Sequence, residues 1–209
     1  MSKKPPEMTG SAGLFRDQKL ILELFKEKSS VSAFEPAVGR LFGRNSARSN
    51  PVIIGTRWFT QAGFKTDFVA FIPEEWKEEL TKIQQVWTGC EKWWAGYPLV
   101  ASVELRKGSA EGTTGQLRLN AEVGPIADRQ ARKRMIIAIS ESASISDHIR
   151  IRFAENATRP GQLYSRFFRD SCVDIRDRSE TDELQRDIVR LFCSFEPEFT
   201  AVTRALREL

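Results

Sequence analysis

The chain has 209 residues, Lys+Arg 32 against Asp+Glu 28, a formal charge of +4, and 41% hydrophobic with 29% charged residues. That length suits one large domain, or a main domain with a small helical lobe, and the composition excludes a disordered chain. Three widely spaced cysteines without CxxC spacing, no apolar run near a membrane span and a polar start, MSKKPPEMTGSAG, exclude a disulfide framework, a zinc pattern and a spanning helix. The same features predict reduced core thiols and a cytoplasmic protein without a secretory signal.

Residues 1 to 13 combine Lys, Pro, Gly and Ser and read as a flexible tail. From 14 to 50 the reading is a helical N-terminal segment and loop. Asp17 caps a short helix with Leu20, Leu24 and Phe25 inward, a second helix follows around Phe34 to Phe42, and GRNSARSNP from Gly43 to Pro51 is the loop. The main domain runs from 51 to 209. Its first stretch, PVIIGTRWFTQAGFKTDFVAFIP, predicts a strand or two with a turn at Gly63. Pro73, Glu74 and Glu75 then open a helix, proline in its first turn and acids at the positive end of the dipole. Trp76, Leu80, Ile83, Trp87, Cys90 and Trp94 keep helical spacing as far as Trp94, where Gly96 and Pro98 end it.

The period now changes to 2. Leu99, Ala101, Val103 and Leu105 alternate with Val100, Ser102, Glu104 and Arg106. Leu117, Leu119, Ala121 and Val123 likewise alternate with Gln116, Arg118, Asn120 and Glu122. An antiparallel hairpin with one wet face follows, joined by GSAEGTTG, which is too long for a tight turn. Gly124-Pro125 breaks the second strand. A basic helix from about Ile126 to Ser142 has Ala131, Met135, Ala138 and Ile139 inward. HIRIRF, 148 to 153, predicts a third strand with Ile149, Ile151 and Phe153 inward and Arg150 and Arg152 outward. TRPGQ is a turn, and Tyr164 to Ile175 reads as a fourth strand. Ser179 to Asp182 resembles a capping box. It is followed by the stripe Leu184, Ile188, Leu191, Phe192, Phe195 and, after Pro197, a last helix burying Phe199, Val202 and Leu206. The predicted fold is α+β: an antiparallel sheet of about four or five strands, covered on one face by helices, with a small N-terminal helical segment.

The chemistry-bearing residues are few. The single histidine, His148, beside Asp147, is the only imidazole for any Ser–His–Asp or Cys–His mechanism and reads as a turn or edge residue. Neither GxxxxGK[ST] nor GxGxxG occurs, so no small-molecule cofactor is indicated. Magnesium-dependent phosphodiester chemistry needs only carboxylates and a lysine, and Asp67, Glu104 and Lys107 are the candidates for it. Strand parity counts against that set, because Arg106 takes the position where a lysine should share the face of Glu104, and arginine does not give up its proton.

The basic residues are the stronger lead. Between Arg129 and Arg178 stand eleven Arg or Lys against seven acids, counting Glu180 just beyond the run. Arg118, Arg129, Arg132, Lys133, Arg150, Arg152 and Arg166 are the candidate binding set, since guanidinium forks suit phosphates.

The layout TGCEKWWAGYPL, strand, loop, strand ending EVGP, an Arg-rich helix, YSRFF, then DIRDRSETDEL and a terminal helix pair resembles the region following the nuclease core in bacterial and phage proteins of the PD-(D/E)XK nuclease superfamily. The resemblance covers roughly residues 52 to 209 and rests on residue types rather than invariant signatures. It implies a role in a restriction, phage or mobile-element system without catalysis, because the resembling part is not the part that holds that family's catalytic residues. The expectation is a non-catalytic binding module for nucleic acid or for a nuclease- or defence-complex protein. Two alternatives stand beside it: a divergent magnesium nuclease, and a phage-type inhibitor or interaction factor.

Overall fold

The computed structural model describes residues 32–43, 50–83, 87–108, 112, 114–145 and 150–209. The chain divides into two compact units, Met1–Ser32 and Ala33–Leu209, and the second is the one described. The expected helix at Asp17 and His148 lie outside the described residues.

Seven strands form one antiparallel sheet among those residues: β1 (Val52–Ile54), β2 (Arg57–Lys65), β3 (Phe68–Pro73), β4 (Leu99–Lys107), β5 (Gly115–Val123), β6 (Ser165–Arg166) and β7 (Cys172–Ile175). β1 to β5 lie side by side in chain order. β6 and β7 share the outer edge of β5, one at each end. The helices are α1 (Phe34–Phe42), α2 (Glu74–Lys82), α3 (Arg129–Ser144), α4 (Thr181–Ser194) and α5 (Glu196–Arg207). The fold is α+β as expected, with more strands than the four or five foreseen.

The hairpin forms in full, from Leu99 opposite Val123 to Lys107 opposite Gly115. Directly opposed residues share a face. The row Phe71–Ala101–Ala121 and the row Val69–Val103–Leu119 therefore face the helices, all fully buried. Ser102, Glu104, Asn120, Glu122 and Arg118 take the other face.

The centre of the core is aromatic. Phe59 of β2 meets Phe71 at 5.4 Å, Phe192 of α4 at 4.9 Å and Phe199 of α5 at 5.6 Å. Trp76 of α2 packs on Phe199 at 5.6 Å and its indole nitrogen donates to the Phe199 carbonyl at 3.2 Å. The stripes on α4 and α5 are buried as their spacing predicted. Far from standing apart as an N-terminal lobe, α1 belongs to this core: Phe34, Ala37, Val38 and Phe42 are buried, and Phe42 stacks near Phe71.

Six expectations are corrected. The helix from Glu74 ends at Lys82 rather than running to Trp94. Gly89, Trp94 and Gly96 have left-handed φ, which no right-handed helix holds. Residues 87–98 instead fold as turns laid along residues 124–127, with Ala127 N–H donating to Thr88 O and Cys90 Sγ to Pro125 O. Gly63 follows a bulge at Ala62 inside β2, and the turn falls at Thr66–Asp67. Among its described residues the third expected strand keeps one bridge, Ile151 with Phe168, and the fourth splits into β6 and β7 around Asp170, another left-handed residue. The capping box does not form, since Glu180 is the cap residue and makes no side-chain cap bond. Of the three cysteines, all free, only Cys90 is a core thiol; Cys172 and Cys193 are exposed. Burial pushes the Cys90 thiol up to about 11, which leaves it inert.

Ion pairs between a shielded carboxylate and exposed cations join α2 to α5. Glu79 on α2 accepts from Lys82 Nζ at 3.1 Å and from Arg207 Nε of α5 at 3.0 Å, and these bonds hold its carboxyl below the ordinary range. A lowered carboxyl contributes stability above its unfolded pKa and loses it as pH falls through the folded value. Glu79→Gln is expected to cost about 1 kcal/mol at neutral pH. The gap to the parent should close on acidification, which denaturant titration at several pH values would measure. Among the described residues no helix is long and apolar enough to cross a membrane.

Candidate anion-binding cleft

The Gly124-Pro125 break stops β5, and Asp128 then caps α3, its Oδ1 accepting from Gln130 N at 2.8 Å and Ala131 N at 3.2 Å. This cap fixes the phase of the helix. Arg129 and Lys133, four residues apart, lie together on its exposed side. Arg132 does not. It is 6% exposed and sits on the inner stripe with Ala131, Met135, Ile136 and Ile139.

Arg132, a member of the candidate binding set, is thus buried rather than exposed. Its guanidinium donates from Nη1 to Ala157 O at 2.6 Å and from Nη2 to Ser165 Oγ at 2.7 Å, while Nε has no partner. No carboxylate among the described residues pairs with it. Burial lowers its pKa, the direction expected for a cation removed from water without an anion beside it. A buried, unpaired charge costs several kcal/mol, roughly, unless something compensates it.

Arg132 lies in the lining of a cleft of about 390 Å³ between the start of α3 and the turns at 158–163. Arg129, Lys133 and Arg159 line the same cleft, with Ile126 and Leu163 as its apolar walls. The turns hold their shape by backbone bonds, Arg159 N–H to Asn156 O at 3.0 Å and Gln162 N–H to Arg159 O at 3.2 Å. Four cations converge here, and no acidic side chain lines the cleft. Asp128 already caps the first free N–H groups, so the attraction for an anion comes from side chains rather than the helix end.

The other predicted arginines go elsewhere. Arg150, expected to point outward, is tied down: its Nε donates to Glu198 Oε1 at 3.0 Å, its backbone N–H to the same oxygen at 3.0 Å, and its side chain to Ser194 O. Glu198 is 1% exposed, and the Arg150 guanidinium lies 3.6 Å from the Phe195 ring centroid, so this arginine holds α5 in place. Arg152 is exposed. Arg118 is half-buried on the open sheet face, opposite Glu104 and Cys172. Arg166 stands 3.7 Å from Glu122 across the β5–β6 pair. Of the predicted set, the structure brings together Arg129, Arg132 and Lys133. The sequence reading did not single out Arg159; its signal was the basic surplus and the TRPGQ turn.

Two of the magnesium candidates face arginines. Glu104 is bonded by Arg106 Nη2 at 2.7 Å, and Asp67, in the β2–β3 turn, faces Arg178 at 3.6 Å. Lys107 is exposed and shares the parity of Leu105, on the face away from Glu104. Among the described residues no three His, Cys, Asp or Glu side chains group as a metal would require.

Comparison of the chain with family models, with curated proteins and with solved structures finds no match.

Proposed function

We propose that the chain is a non-catalytic nucleic-acid-binding module that seats backbone phosphates in the cleft between α3 and the turns at 158–163. The observation that carries the reading is Arg132, a buried guanidinium with no carboxylate partner among the described residues, at the wall of a cleft lined by three further cations. A phosphate entering there would supply the missing counter-charge, and Arg129, Lys133 and Arg159 would each contribute a charge-assisted contact. Lys65, Lys92 and Arg166 continue the positive charge onto the adjoining cleft, an extent that suits a polyanion better than a single small phosphate. The setting in a restriction, phage or mobile-element system comes from the resemblance of residues 52 to 209 and is part of the proposal.

The experiment is a titration of a fluorescent oligonucleotide with the protein at increasing salt. Contacts from the four cations of the cleft give a slope of log K against log salt of about −3 for a single strand. No binding at low salt, or binding indifferent to salt, overturns the reading. A partner pulled down at high salt by the open sheet face would point to a protein ligand instead.

A further inference from the structure

Adjoining the basic cleft is a second one of about 540 Å³, on the open sheet face, lined by Lys65, Lys92, Trp93, Trp94, Glu122, Tyr164 and Arg166. Its indoles are set in place by two glycines. A Cβ on Gly124 would come within 2.3 Å of the Trp93 ring, and one on Gly63 within 2.5 Å of the Trp94 ring, so both rings lie against bare backbone. Trp94 has φ +42, a conformation that a bulky residue seldom adopts. It stacks on Phe68 at 5.1 Å, with Lys65 Nζ 5.5 Å from its ring, while Trp93 leans toward Tyr164 at 6.2 Å. Tyr164 is 44% exposed. The sheet beneath is unusual too: Asn120, next to Glu122 on the same face, is 1% exposed and neither its side-chain nitrogen nor its oxygen has a partner.

The two clefts share a wall. Gln162 and Leu163 line the basic cleft, Ser165 binds Arg132, and Tyr164 and Arg166 line the aromatic one, as alternation along an extended segment requires. On the other side Ile126 and Ala127 line the basic cleft while Gly124 seats Trp93. The 162–166 segment thus contributes side chains to both clefts, alternate residues turning to each.

We infer that the Trp93–Trp94–Tyr164 cleft takes an unpaired base of the bound strand, so that the ligand class is single-stranded nucleic acid. This rests on the phosphate reading above. Aromatic faces stack bases of any sequence, whereas a duplex hides its base faces and offers only edges and backbone. Three cations against one carboxylate favour the phosphates flanking that base, and Glu122 supplies acceptor atoms for base edges.

The test compares a labelled thymine single strand of about 15 nucleotides with the duplex it forms with its complement, at equal salt. The parent is expected to bind the single strand about tenfold tighter and to lose indole fluorescence on doing so. Tyr164→Ala, at an exposed position, should lower single-strand affinity about tenfold and duplex affinity by less. Equal affinity for both ligands with unchanged fluorescence overturns this inference and leaves the phosphate reading standing. Failure to bind either ligand overturns both.

Discussion

Phe199→Ala lowers the stability of the protein by about 3–5 kcal/mol, read as a fall in the midpoint of denaturant unfolding with the slope unchanged. Phe199 is fully buried, and its ring faces Phe59 at 5.6 Å, Trp76 at 5.6 Å, Phe168 at 5.7 Å and Phe192 at 6.3 Å. It joins β2, α2, α4 and the segment before β7. Truncation loses the transfer free energy of the ring and leaves a cavity among four aromatic neighbours that cannot all move inward. Set against a total stability of about 5–15 kcal/mol, the loss is a large share. Ile53→Ala, on the exposed edge strand β1, should change stability by no more than about 0.5 kcal/mol. Equal effects at the two positions would contradict the packing described.

The second large effect is on binding. Arg129→Glu, Lys133→Glu and Arg159→Glu together replace three attractive contacts in the cleft by repulsive ones, at exposed positions that leave the core untouched. Affinity for an oligonucleotide at low salt should fall at least about 100-fold, and the salt slope should shrink by about 2. Net charge changes as well, so the control carries the same change elsewhere: Lys107→Glu, Arg152→Glu and Arg176→Glu, all exposed and outside the cleft. A loss of similar size in the control would mean that overall charge, not the cleft, governs binding. Circular dichroism on both variants checks that the fold is intact. Arg150 is left out because its bonds to Glu198 and Ser194 make it part of the fold.

Much of this architecture was legible in the residues, and the failures have identifiable physical causes. Period-2 alternation marked β4 and β5 because one sheet face is apolar and the other polar, and the stripes of α4 and α5 were clear for the same reason at period 3.6. The stretch from Trp87 to Trp94 kept helical spacing yet folds as turns. Its tryptophans are placed by glycines on β2 and after β5, a tertiary effect that no local window contains. Arg132 was misplaced through a small error of phase. With about 100° per residue, taking Ala138 rather than Ile136 as inward rotates the stripe away from position 132. Arg150 was misread because its partner Glu198 is 48 residues distant in sequence. The cleft itself was half visible: Arg129, Arg132 and Lys133 were in the candidate set, but only the folded turns at 158–163 bring Arg159 against them.

Phosphates are proposed to lie between the first turns of α3 and the 158–163 turns. Ultraviolet crosslinking of a bromouracil-substituted single strand, followed by peptide mapping, tests it most directly. Attachment is expected within residues 126–133 and 158–166, and is lost when Arg129, Lys133 and Arg159 are reversed in charge. Attachment confined to the segment around Asp182 to Arg190, or spread evenly over the surface, would contradict it.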